Sequence, residues 1–150
     1  MKGNEVVIGI GNIYRRDDGL GPAVASLLVG SLPGVEIVET DGEATRLLEF
    51  WTGARIAVVV DAVRVRGGTP GRIHRFDESE LAVDVPGARH SHAVRLGDVV
   101  ALARVLDRLP ERLVIFAVEV TDTGYGLGLS APVAAASATV ANEIARLLGT

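Results

Sequence analysis

Apolar residues along this chain follow two rhythms. Val6-Val7-Ile8-Gly9-Ile10, Ile56-Ala57-Val58-Val59-Val60 and Leu113 to Val120 are short continuous apolar runs, the pattern of strands buried on both faces. Val35 to Thr40 alternates apolar with acidic residues, as a strand covered on one side does, and Arg72 to Phe76 reads as a fifth strand. Between them the apolar residues recur every three or four positions. Gly19 to about Leu32 predicts a helix with Leu20, Val24, Leu27 and Leu28 on one face and Pro22 in the first turn, where proline is tolerated. Glu43 to Trp51 predicts a short helix, and His92 to Leu109 a long one with Leu96, Val99, Val100, Ala103 and Leu106 inward. Ser130 caps a last helix whose stripe is Val133, Val140, Ala141, Ile144 and Leu148. Pro33-Gly34, Gly67-Gly68 and Pro70-Gly71 mark turns. Asp77 to Ser91 and Thr121 to Gly128 read as loops.

Strands that alternate with helices predict an α/β fold. The expected architecture is a three-layer α/β/α sandwich around a mostly parallel sheet of about five strands. At 150 residues the chain is expected to form a single domain, residues 1–150. Cysteine is absent, which excludes disulfides, thiolate metal ligands and a Cys nucleophile. The apolar run at the N-terminus is too short for a signal peptide, and no stretch reaches the length of a membrane span. A cytoplasmic, membrane-free protein is expected. The net charge of −4, with arginines scattered along the chain, argues against a nucleic-acid partner.

In such sheets, sites form where strands end at their carboxyl side. Three segments meet that condition: Gly9 to Gly21, Asp61 directly after Val58-Val59-Val60, and His90-Ser91-His92 leading into a helix. Gly9-x-Gly11 suggests a dinucleotide loop, but the third glycine position holds Tyr14, and Asp17-Asp18 would repel a pyrophosphate. There is neither a Gly-x-Ser-x-Gly nucleophile elbow nor a His-Glu-x-x-His zinc motif.

Each candidate also has a structural reading. Asp18 stands where an N-cap would, and Asp17 reads as its solvated or capping neighbour. Asp61 ends a strand expected to be buried, where a carboxylate is costly unless paired, hydrogen-bonded or metal-bound. His92 is equally a helix-start histidine; His90 is expected to be exposed and His74 to face solvent. Taken together, two carboxylates and an imidazole from three strand ends can converge on a borderline divalent metal such as zinc or nickel and leave positions open. Such a metal can polarise a carbonyl or generate hydroxide.

These segments resemble the hydrogenase maturation proteases. The likeness lies in Gly9-Ile10-Gly11-Asn12 with Asp17-Asp18-Gly19-x-Gly21, Asp61 in Val-Val-Asp-Ala-Val, His92 with Leu96-Gly97-Asp98-Val99, and Gly128-Leu129-Ser130. The matches keep their order from residue 6 to about 145. The resemblance implies that Asp18, Asp61 and His92 are the metal-contacting set and carry the catalysis. It implies that the metal is nickel, already placed in the substrate, and that the partner is the large-subunit precursor of a nickel-iron hydrogenase. The enzyme then removes a C-terminal peptide from that precursor. Some family members carry glutamate where this chain has Asp18; Val120 stands where proline is common, and Ala93 where a polar residue is frequent. A non-proteolytic metal-sensing assembly module, using the same three ligands, is the competing expectation.

Overall fold

The computed structural model describes residues 4–77 and 92–149. Five strands form one sheet in the order β2-β1-β3-β5-β4. They are β1 (Glu5–Ile10), β2 (Val35–Thr40), β3 (Ile56–Arg64), β4 (Ile73–Asp77) and β5 (Arg112–Val120). β1 runs parallel to β2 and β3, and β3 parallel to β5; β4 closes one edge antiparallel to β5. Among the described residues four α-helices accompany them: α1 (Leu20–Leu28), α2 (Ala44–Trp51), α3 (His92–Val105) and α4 (Ala131–Leu148).

Side-chain alternation along each strand divides the core in two. Val7, Val58, Val60, Val114, Phe116 and Val118 pack against α1 and α4. Ile8, Ile10, Ala57, Val59, Leu113 and Ile115 pack against α2 and α3. The result is the expected three layers. Exposed Glu36 and Glu39 lie on opposite faces of β2, while Ile37 and Val38 pack against the two cores, in keeping with its place at the open edge.

The differences from the sequence reading have local causes. α1 ends at Leu28 rather than near Leu32, because Val29 turns extended and Gly30 takes φ +82°. Leu27, inside α1, faces solvent, and the buried stripe is Leu20, Val24, Ala25 and Leu28. α3 stops at Val105, with Asp107 at φ +55° just beyond, and Leu106 is exposed. β3 runs four residues past Val60, so Asp61 lies inside a strand and not after one. The expected loop from Asp77 to Ser91 falls, after its first residue, outside the described residues.

α1 begins hard against the strands it follows. A Cβ on Gly21 would stand 2.3 Å from the Ile10 carbonyl oxygen and 2.7 Å from that of Val60. Both obstacles are backbone, so a side chain there has to push the helix off the sheet. Gly21→Ala is expected to cost at least about 2 kcal/mol. Thermal melts should show a midpoint roughly 4–8 °C lower.

Candidate functional site

β1 leads through α1 to β2 on one side, whereas β3 and β5 continue on the other. The connections therefore diverge between β1 and β3, and sheets of this kind form a crevice at the carboxyl ends of such strands. β1 stops pairing with β3 at Gly9–Val60. Asp61 is the next residue on β3, still paired with Ala117 of β5 but past the end of the β1 ladder. It is almost wholly buried, 1% exposed, and alternation places it on the face covered by α2 and α3.

The chain leaving β1 supplies the second carboxylate. Gly11 is bonded to the Thr40 carbonyl, and residues Arg16–Gly19 form one 3-10 turn that packs against β3 and α1. Asp18, half-buried in that turn, accepts the Asn12 N–H at 2.9 Å. It bonds back across its own loop and does not cap α1, whose N-cap position is Gly19. Gly11 lies so close to this turn that a Cβ there would meet the Asp18 carbonyl at 2.0 Å.

His92 opens α3, and α3 packs over β3 on the Asp61 face. Its side chain, like His90 and Ser91 altogether, lies outside the described residues. The structure thus brings Asp18 and Asp61 to one end of the sheet and starts α3 in the layer that Asp61 faces. Among the described residues no group of three or more His, Asp or Glu side chains is arranged to hold a metal ion.

Of the two readings the sequence left open for Asp17, solvated or capping, the structure excludes the solvated one. Asp17 is buried, accepting the Ser130 N–H at 2.7 Å on Oδ1 and the Ser130 hydroxyl at 2.8 Å on Oδ2. Ser130 is the N-cap residue of α4, so this carboxylate sits where the helix presents bare N–H groups. Backbone bonds extend the attachment. Arg16 N–H donates to Gly126 O, Gly126 N–H to Tyr14 O and Asp17 N–H to Asp122 O. The Thr121 to Gly128 loop is thereby held beside the Asp18 loop.

A second buried carboxylate escaped the sequence reading. Glu119 accepts the Thr69 N–H at 2.9 Å and a 2.5 Å hydrogen bond from the His74 ring, with Arg72 at 3.9 Å. His74 therefore does not simply face solvent; it pairs inward. It sits opposite Ala117 on the antiparallel edge strand, and an edge strand's direction is not written in its own residues. Burial pushes the Glu119 carboxyl up. The hydrogen bonds from His74 and Thr69 and the charges of His74 and Arg72 outweigh that and leave it below its ordinary range. A carboxyl lowered by folding stabilises above its unfolded pKa and loses that contribution as pH falls through the folded one. Wild type should therefore melt above Glu119→Gln at neutral pH. The gap should close as pH drops below about 4.3, the ordinary glutamate value, a trend readable from paired melts.

The sequence model of the family described as hydrogenase maturation protease matches residues 24–147. The chain belongs to that family. No curated protein sequence matches it. Solved structures agree on the fold. The hydrogenase maturating endopeptidase HybD of Escherichia coli superposes with a TM-score of 0.75 at 22% identity, covering 99% of this chain and 92% of that one. An endopeptidase from Escherichia coli gives 0.76 at 21% identity, over 93% and 89% of the two chains. The [NiFe] hydrogenase maturation protease HybD of Thermococcus kodakarensis gives 0.71 at 22% identity, over 99% of both. The family match spans Asp61 and His92 but begins after Asp18. No helix among the described residues is long and apolar enough to cross a membrane.

Proposed function

We propose that this chain is an endopeptidase that removes a C-terminal peptide from the nickel-loaded large-subunit precursor of a nickel-iron hydrogenase in the cytoplasm. Family membership supports the protease and its hydrogenase substrate. The observation that carries the reading further is Asp61, a carboxylate buried at the point where the β1 and β3 connections diverge. A protein keeps a charge in such a place at a cost to stability when the charge has work to do.

In this reading Asp18, Asp61 and His92 take up open positions on the nickel that the precursor brings with it. Oxygen and imidazole donors suit that ion. Engagement docks the C-terminal segment along the crevice. A water molecule then adds to the scissile carbonyl, and the C–N bond breaks as the leaving amine takes up a proton. Nickel enters and leaves with the substrate, so the free enzyme needs no tightly held metal.

Intact-mass spectrometry of nickel-loaded precursor incubated with the wild-type chain tests this. The expected result is loss of one discrete C-terminal peptide. A precursor that binds and stays whole would favour the assembly-module alternative.

A further inference from the structure

Large apolar side chains are exposed in a cluster at the crevice end of the molecule. Tyr125 is 85% exposed, Leu127 69%, Tyr14 65% and Ile13 47%. All four lie on the two loops that the Asp17–Ser130 bonds and the Gly126 backbone bonds hold together. Ile13 also lines an open groove of about 350 Å³, together with Arg16, Pro22, Ala23, Glu39 and Leu129. Contiguous apolar exposure on a rigid support is the usual mark of a protein-binding surface, because covering it releases water without first ordering a loop.

Charge narrows the occupant. Arg15 stands within this patch with its guanidinium 5.4 Å over the Tyr125 ring and its Nε–H donating to Thr123 O. No carboxylate pairs with it among the described residues, although the whole chain carries a net charge of −4. An arginine stacked on a tyrosine and lacking a counter-charge is a common anchor at interfaces. It calls for a carboxylate on the partner.

We infer that these paired loops are a docking surface for the hydrogenase precursor's polypeptide, separate from nickel contact. The surface takes an apolar side chain in the groove and a carboxylate on Arg15. The inference rests on the substrate proposed above. It adds that the enzyme holds the precursor through protein contacts before the metal is read. The loop that carries Asp18 also carries Ile13 to Arg16, so docking here delivers the precursor to the crevice.

The test measures precursor binding by biolayer interferometry, with nickel-loaded and nickel-free precursor in parallel. The variants are Arg15→Glu and the double change Tyr125→Ala with Leu127→Ala. These side chains bury little, so melting should barely move. Kd is expected to rise at least about tenfold in both variants, and equally for both precursor forms. Val105→Ala, an exposed apolar change at the far end of α3, should leave Kd where it was. Unchanged Kd in the double variant would overturn the inference. So would wild-type self-association in sedimentation that the double variant abolishes, since the occupant would then be a second copy. Weakened binding with no cleavage by wild type would retain the surface and reject the protease reading, so the two can fail separately.

Discussion

Asp61→Asn is expected to lower cleavage of the nickel-loaded precursor about a thousandfold, roughly 4 kcal/mol of transition-state stabilisation. Its thermal midpoint should hold or rise. Asparagine keeps the shape of the side chain and removes its charge. At a site this buried the charge itself disfavours the folded state, so losing it relieves a desolvation cost. Activity and stability then move in opposite directions, the pattern of a functional group maintained against stability. If Asp61 were there to hold the strand end together, the same change would lower the midpoint by several degrees. Activity measured well below that midpoint would then survive. Melting curves and single-turnover cleavage on one preparation separate the two cases.

Asp17→Ala is expected to produce the opposite signature: a large stability loss, with activity falling as a consequence. The Ser130 N–H and hydroxyl lose their acceptor together in a buried setting, at about 1–3 kcal/mol for each group left unsatisfied. A total near 3 kcal/mol lowers the midpoint of a chain this size by roughly 6–12 °C. The same carboxylate ties the Asp18 loop to α4, so its loss also loosens Asp18. Asp17→Asn retains one oxygen acceptor, and the Ser130 hydroxyl can rotate to accept from the new amide. It should recover about half the loss. Equal melting of wild type and Asp17→Ala would show that the backbone bonds from Arg16 and Gly126 suffice.

These two aspartates show what the sequence displays and what it withholds. The apolar run before Asp61 announces a buried strand, and a carboxylate among valines stands out without a structure. Its candidacy as a site residue at the end of a parallel sheet follows from chain order alone. The stripe of α4, and that of α1 apart from the exposed Leu27, were legible for the same reason, since a 3.6-residue period is local information. The partners of Asp17 and Glu119 were not. Asp17 meets Ser130 across 113 residues, and neighbouring sequence does not distinguish it from Asp18. Glu119 and His74 meet because β4 runs antiparallel along β5, a choice made by the whole sheet. Strand and helix ends shifted for smaller reasons. Gly30 and Asp107 adopt positive φ just past helices that periodicity alone would extend. Asp18 is a candidate by motif, but its bond to Asn12 depends on how the loop folds back on itself.

We propose that the enzyme reads nickel in its substrate through Asp18, Asp61 and His92. A paired time course tests it most directly, with wild-type enzyme cutting nickel-loaded and nickel-free precursor under identical conditions and each sample followed by intact mass. The account predicts release of the C-terminal peptide from the loaded form at least about tenfold faster, a coupling of ~1.4 kcal/mol or more. Equal rates for the two forms would contradict it.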